Sequence, residues 1–270
     1  MAKDRFSREN THDTNLKTVI IRLDYSGVSD INDLVKLFDK KFPNEFKERH
    51  EHHNSEYNIQ LSKEDIETIS KTLFLPVNVI QRETIMRYHG MKHGNCDVVL
   101  DISKYYLCMT LNSENNYDGI DNYISSFKGA ITLFKEKIPY FRPRRLGLRK
   151  IRVESKTSLV GFKDIFEDEL FRHHIYGYES PALLRKESLD CFEVAKFNHL
   201  RFNVRGLMNY GKDSDGTYQY TSSLDIDAYY TEASLDNNDI NRLITTANLQ
   251  EFEVYKNCMK ESYLESIYHR

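Results

Sequence analysis

The sequence predicts an α+β protein made of two halves, each a mainly antiparallel sheet packed against a long amphipathic helix. Strand-like runs recur in both halves, and each half contains one long stretch with apolar residues at helical spacing. No sustained alternation of strand and helix is visible, which disfavours a Rossmann or TIM architecture. The predicted division is a flexible N-terminal arm at 1–16, an N-terminal half at 17–154 and a C-terminal half at 155–270.

The elements of the N-terminal half begin with a β-branched strand at 18–25, which ends at a Ser-Gly pair. Ser29 or Asp30 can cap the short helix that follows. The polar stretch 45–62 is interpreted as an exposed strand or loop, and further strands are predicted at 77–88, 97–102 and 105–111. The clearest helix is 118–138, because its apolar residues recur every three or four positions until Pro139 ends it: Ile120, Ile124, Phe127, Ile131, Phe134 and Ile138.

The C-terminal half follows a basic strand that ends near residue 153. A short helix is predicted within 159–171, and Asp213 to Gly216 has the composition of a hairpin turn. Alternating apolar residues predict strands on both sides of that turn and one before it, at 191–197, 200–207 and 217–231. A long helical pattern at 239–268 closes the chain.

Composition excludes several classes of protein. The 38 basic and 41 acidic residues give a net charge of −3, which gives no reason to expect a general polyanion binder. The four cysteines form no CxxC pair, so a zinc ribbon or redox motif is not expected, and their thiols are expected to be reduced in the cytoplasm. Residues 1–17 lack the apolar centre of a signal peptide, and no apolar run reaches the roughly 18 residues of a membrane helix.

A basic strand is the first candidate site. Six cations fall within eleven residues: Arg142, Arg144, Arg145, Arg149, Lys150 and Arg152. Guanidinium groups bind phosphates in bidentate fashion, so this strand could bind a nucleic-acid backbone or an acidic partner. Strand alternation divides these cations between two faces, however, which favours pairing with acidic neighbours across the sheet or between the halves.

Asp225 and Asp227 form the second candidate, an acidic partner face. At i and i+2 on a strand they share one face, about 7 Å apart at roughly 3.4 Å per residue. They could hold Mg²⁺ or act as acid and base, or they could face the arginines of the basic strand.

The histidines are expected to be polar surface residues without a metal. His50, His52 and His53 are clustered, His89 and His93 are spaced i,i+4, and His173 and His174 are adjacent, yet no HExxH or Cys2His2 pattern is present. No GxSxG, P-loop or GxGxxG motif appears either. The sequence therefore predicts no catalytic, cofactor-binding or metal-binding residue, and it favours a binding protein over an enzyme.

Three segments of the chain resemble sequence motifs of other proteins. Residues 145–152 read RLGLRKIR and resemble an RLGLRYIN signature, residues 224–229 read LDIDAY and resemble an LDIDVY strand, and ANLQEF precedes the last amphipathic stretch. Their order is similar to that of a family of uncharacterised, sporadically distributed, mostly bacterial proteins, over roughly 17–268. Lys150 stands where this family has an aromatic residue, and Arg152 where it has Asn. Sporadic distribution implies, by analogy, an association with mobile elements or antiviral defence.

The sequence leads to two hypotheses for the function of the protein, which belong to different classes. The first is a non-enzymatic cytoplasmic binding or regulatory protein that acts through protein contacts or self-association, with no membrane partner. The alternative is an RNA-binding protein or a metal-independent endoribonuclease that uses the basic strand 142–152. RNA binding that weakens steeply as salt rises would favour the second, because bound phosphates release counterions.

Overall fold

The nine strands that the structure describes form one antiparallel sheet. The structure is a computed structural model that describes residues 2–8, 15–58, 78–92, 96–113, 117, 119–171, 188–232, 235 and 239–268. The strands are β1 (Leu16–Ser26), β2 (Phe46–Asn58), β3 (Asn78–Met91), β4 (Asp97–Ser103), β5 (Tyr106–Asn112), β6 (Arg142–Lys156), β7 (Ser188–Phe197), β8 (Leu200–Lys212) and β9 (Tyr218–Thr231). Their spatial order is β2-β3-β4-β5-β1-β6-β9-β8-β7.

Four α-helices are present in the described ranges: α1 (Ile31–Lys41), α2 (Ser125–Lys137), α3 (Ile240–Cys258) and α4 (Glu261–Ser266). The Asp30 side chain accepts a hydrogen bond from the backbone N–H of Asn32 and caps α1, and Asp239 caps α3 in the same way. Short 3₁₀ turns cover Leu159–Phe162 and Asp168–Phe171, where the sequence predicts a short helix.

The prediction of two halves, each a sheet packed against a long amphipathic helix, is wrong. Strand β6 pairs with β1 along one edge and with β9 along the other, so a single sheet runs through the predicted boundary at residue 154. Apolar spacing predicts which segments are strands, but it carries no information about which strand edges meet. The two halves therefore looked alike in the sequence although they share one sheet.

The two long helices are also shorter than predicted. The segment 118–138 contains a 3₁₀ turn at Ile120–Asn122, and the α-helix begins only at Ser125. The segment 239–268 is broken at Met259, which adopts an extended conformation and bridges to Phe166. Apolar spacing continues in phase across both breaks, which is why the sequence pattern concealed them.

The helices pack on one face of the sheet, which we call the covered face. Strands β1 and β6 are in register there, with Ile21 opposite Leu148 and Leu23 opposite Leu146, and all four side chains are buried. The ring of Tyr25 on the same face of β1 contacts Phe134 of α2, and α3 lies against β6 and β9. We call the opposite face the open face.

Part of the predicted flexible arm is packed on the body of the protein. Residues 2–8 are described, and within them Phe6 is buried with its ring edge against Tyr268. Lys3 donates hydrogen bonds to Glu167 at 2.7 Å and to the backbone carbonyl of Lys256 at 2.9 Å. An apolar residue and a cation in a polar stretch are thus enough to attach this segment to the C-terminal helices.

Two glycines provide a test of the packing at the β1–α1 turn. Gly27 has a φ of +89°, and a Cβ there would lie 1.6 Å from the Tyr140 carbonyl oxygen. Gly216, at the β8–β9 hairpin, has a φ of +79° and open space around it. Gly27→Ala is expected to lower the free energy of unfolding by roughly 3 kcal/mol or more, from strain and a backbone clash together. Gly216→Ala is the control and should cost about 1–2 kcal/mol, from backbone strain alone. Urea denaturation measures both, and equal losses would contradict the described turn.

Candidate functional site

The six cations of the basic strand fall on different surfaces. Arg142 and Arg144 are exposed at the start of β6, where Arg144 pairs with Glu232. The register with β9 places Arg145 and Arg149 on the open face. Lys150 and Arg152 are the remaining two, and they are buried beneath α3 on the covered face. The cations that are adjacent in sequence therefore do not form one basic patch.

The open face brings two of these arginines to the two predicted aspartates. Arg149 donates through Nε and Nη2 to the two oxygens of Asp225, at 2.8 and 2.5 Å. Arg145 donates to Asp227 at 2.6 Å and lies over the ring of Tyr229. Burial raises the pKa of Asp227, and the two arginines oppose that rise. These carboxylates serve as partners of arginine, and no cluster of potential metal ligands occurs among the residues described.

Arginine–aspartate pairing recurs across the open face. Arg87 of β3 holds Asp101 of β4 through two hydrogen bonds of 2.7 and 2.8 Å. Arg205 of β8 holds Asp190 of β7 in the same bidentate way. Ion pairs that keep this much contact with water contribute little to stability. They place an acidic partner beside each of these arginines on the open face.

A buried charged cluster lies on the covered face between β6 and α3. Lys150 and Arg152 both contact Glu251, with N–O distances of 2.8 and 2.7 Å. The Arg152 guanidinium also lies 4.0 Å from the centre of the Tyr255 ring. The Lys150 and Glu251 side chains are 2% and 0% exposed, so these charges have been removed from water.

The pKa values of this triad reflect burial opposed by pairing. Burial lowers the pKa of Lys150 from 10.5 to about 8, although Glu251 acts to raise it. Burial acts to raise the pKa of Glu251, but Arg152 and Lys150 hold it below its usual value. The cluster thus combines one carboxylate with two cations, and Lys150 is the member that can lose its charge.

Glu251 was missed by the sequence analysis. It occupies a position four residues from both Ala247 and Tyr255, within the apolar stripe of α3. A carboxylate at such a position is rarely buried without a partner, and that was the available signal. Lys150 and Arg152, its two partners, are the residues at which the chain departs from the RLGLRYIN pattern.

The described members of the predicted histidine clusters, His50, His52, His53 and His89, lie on the polar surface of β2 and β3. The rings of His50 and His89 meet edge to face with centres 5.7 Å apart, and His50 lies 3.3 Å from Glu48. His93, His173 and His174 lie outside the described residues.

The β7 strand presents apolar side chains at the edge of the sheet. Phe192, Val194 and Phe197 are 62%, 59% and 56% exposed. Register with β8 places Phe192 and Val194 on the open face, while Phe197, opposite Leu200, belongs to the covered face. The sequence predicts this strand but does not indicate that it lies at an edge. We call these three residues the β7 apolar edge.

A cleft of about 350 Å³ adjoins the end of β7. Phe197 stands at its rim, and α3 forms one of its walls. The β7 apolar edge and this cleft therefore share one residue, Phe197.

The comparisons with known proteins do not identify a family for this chain. A scan against models of protein families finds no match, and a search of curated proteins finds no similar sequence. Within the described ranges, every helix is too short or too polar to cross a lipid bilayer. Function must therefore be argued from the sites themselves.

Removing the carboxylate of the buried cluster should be costly. Glu251→Gln removes the carboxylate that the buried Lys150 and Arg152 share and is expected to lower the free energy of unfolding by about 3–5 kcal/mol. Glu253→Gln changes a carboxylate two residues away that is 53% exposed and pairs with Lys256; it is the matched control and should cost about 1 kcal/mol or less. Urea denaturation distinguishes the two, and similar losses would show that the cluster is solvated.

Stability should also depend on pH through Lys150. Its folded pKa, near 8, lies below its unfolded value, so between pH 8 and 10.5 the unfolded chain binds a proton that the folded chain does not. The free energy of unfolding then rises with pH across this window, by roughly 3 kcal/mol relative to Lys150→Met. Urea denaturation of both proteins at several pH values measures the difference. Parallel curves would mean that Lys150 keeps an ordinary pKa.

Proposed function

We propose that this protein is a non-enzymatic cytoplasmic binding protein that adds an extended segment of a protein partner to its β7 edge. The observation that carries this proposal is the β7 apolar edge, where three large apolar side chains are each more than half exposed. An edge strand offers unpaired backbone N–H and C=O groups, and exposed side chains at alternate positions add affinity and selectivity to strand addition. Exposed apolar patches of this kind commonly mark interaction sites.

The charged groups of the chain support a binding role over a catalytic one. On the open face, Arg145 and Arg149 are held by the two aspartates of β9. On the covered face, Lys150 and Arg152 are held by Glu251. Five of the six cations of the basic strand and both predicted aspartates thus have an internal partner, whereas the apolar side chains of β7 are exposed to solvent.

A different chain is the favoured occupant of this edge, rather than a second copy. Two copies could pair their β7 strands in antiparallel fashion about a twofold axis at residue 192, 193 or 194. In each of these pairings, Glu193 of one copy lies opposite or diagonal to Glu193 of the other. Like charges in those positions destabilise paired strands. An extended segment without an acidic residue at that position avoids this repulsion.

A cytoplasmic location is supported by the cysteines. Cys108, Cys191 and Cys258 are free thiols, which is typical of a reducing compartment. An association with antiviral defence or mobile elements rests on the resemblance alone. It stays a prediction that the identity of neighbouring genes would test.

The alternative function, RNA binding or endoribonuclease activity along 142–152, requires a rearrangement. Arg145 and Arg149 would have to exchange Asp227 and Asp225 for phosphates, and Lys150 and Arg152 would have to leave the buried cluster. Arg142 and Arg144 would remain at the surface, and Arg144 is bonded to Glu232. These contacts weigh against the alternative without testing it.

Substitutions on β7 should weaken the binding of extended peptides. Peptides of about ten residues, selected from a random library on the whole protein, are expected to bind Phe192→Lys/Val194→Lys at least ten-fold more weakly, because the lysines remove the apolar contacts. Val160→Lys changes a valine that is 53% exposed elsewhere and should bind as the wild type does. Fluorescence anisotropy measures the affinities, and hydrogen exchange should show new protection at 188–197.

Two results would contradict the proposal. One is a selected peptide whose affinity is the same for the β7 variant and the wild type. The other is a concentration-dependent dimer, seen by light scattering, that the β7 variant loses, since this would make a second copy the occupant of the edge.

A further inference from the structure

The β7 edge carries charged as well as apolar side chains. Side chains alternate between the two faces along this strand, so Phe192, Val194 and Lys196 point to the open face and Glu193 points to the covered face. Lys196 and Glu193 are both exposed. A segment added along β7 therefore meets two charges of opposite sign, and the surroundings of each charge decide what it can pair with.

The neighbours of Glu193 on the covered face are neutral. On β8 it lies opposite Val204, and on β7 it is flanked by Cys191 and Ala195. Among the residues that the structure describes, no cation forms an ion pair with its carboxylate. A basic side chain that arrives at this position therefore meets a carboxylate that is not already engaged.

The cations at the nearby end of α3 pair with other groups. Burial raises the pKa of the Cys258 thiol to about 12, and the carboxylate of Glu193 adds to that rise, which places Glu193 within electrostatic range of this helix end. Lys3 and Lys256 also lie there, and each pairs with a different carboxylate. The negative charge of Glu193 is thus available to an added strand.

Two cations lie side by side near the turn from β7 to β8. Lys196 is directly opposite Arg201, and both are exposed on the open face. Within the described part of the chain, neither of them pairs with a carboxylate. Like charges in directly opposite positions destabilise paired strands. An acidic side chain placed beside these two cations would relieve their repulsion.

The backbone of β7 determines how an added strand aligns with these charges. A two-residue turn joins Phe197 to Leu200, so these two residues form a hydrogen-bonded pair. Hydrogen-bonded and non-hydrogen-bonded pairs alternate in an antiparallel ladder, and the backbone groups of residues 192, 194 and 196 therefore point to the free edge. An antiparallel strand that bonds to them places one residue opposite Glu193 in a non-hydrogen-bonded pair, where side chains are closest.

We infer that the β7 edge selects a protein segment with a basic residue between two apolar residues and an acidic residue three positions before the basic one. In antiparallel pairing the basic residue lies opposite Glu193, and the apolar residues lie opposite Val194 and Phe192. The acidic residue then lies opposite Lys196 and beside Arg201. The inference rests on the proposed function, because it specifies the partner segment of that same site.

Two capped peptides of identical composition test the pattern and its direction. The forward peptide, Thr-Asp-Thr-Val-Lys-Val-Thr, carries the pattern, and the reversed peptide carries it in the opposite order. Titration of the whole ¹⁵N-labelled protein, followed by NMR, is expected to shift amide signals of residues 188–197. The forward peptide should bind about three-fold or more tightly than the reversed one. Equal affinities, the opposite preference, or no shifts at 188–197 would overturn the inference.

An exchange of charges tests the contact with Glu193. Replacing the lysine of the forward peptide by glutamate should weaken its binding to the wild type by about five-fold or more, because like charges then lie opposite each other. Glu193→Lys should instead prefer the glutamate peptide. Glu136→Lys makes the same change at an exposed position of α2 and should keep the preference of the wild type. A Glu193→Lys variant that also keeps it would contradict the inference.

The acidic position has a control of its own. Replacing the aspartate of the forward peptide by asparagine should weaken binding to the wild type by about three-fold or more. Lys196→Gln/Arg201→Gln should bind both peptides equally. Lys36→Gln/Lys137→Gln removes two exposed lysines from α1 and α2 and should retain the difference. If the difference persists in Lys196→Gln/Arg201→Gln, the position assigned to the acidic residue is wrong.

The random-library peptides separate this inference from the proposed function. Library peptides that lack the charge pattern, yet lose affinity for Phe192→Lys/Val194→Lys, would contradict the inference and leave strand addition standing. Library peptides whose affinity that variant leaves unchanged would contradict strand addition itself, and the inference would fail with it.

Discussion

The neutralisation of the charges on β6 is the constraint on which the structure depends. This strand is hydrogen-bonded to β1 and to β9, so its side chains can point only to the two faces of the sheet. Lys150 and Arg152 consequently lie beneath α3, where an unpaired cation would cost several kcal/mol. Glu251 supplies a carboxylate that contacts both cations there. The position of α3 is therefore set by charge as well as by its apolar stripe.

The same strand shapes the open face. Arg145 and Arg149 of this strand reach the aspartates of β9, and equivalent pairs on outer strands extend this pattern. A sheet whose centre is occupied by internal ion pairs has little capacity for a charged ligand there. Exposed apolar surface is found instead at the periphery, on β7 and in the cleft beside it. The division between an ion-paired centre and an apolar edge is what supports the proposed binding function.

Local structure was predictable because it depends on neighbouring residues. Alternation in 18–25 and 105–111 predicted strands that are confirmed as β1 and β5, and the Asp-Ser-Asp-Gly turn lies where predicted, between β8 and β9. Strand order was not predictable, since many registers bury an equal number of apolar side chains. The partner of Lys150 and Arg152 lies about a hundred residues away, and only the placement of α3 over β6 reveals it.

The central claim is that both parts of the chain form one sheet through β6, and native-state hydrogen exchange in increasing urea tests it most directly. If the claim holds, the protected amides of β1, β6 and β9 will converge on one unfolding free energy with one dependence on urea. Convergence of β1 and β5 on one value, and of β8 and β9 on a separate lower or higher value, would contradict it, because each half would then unfold as its own unit.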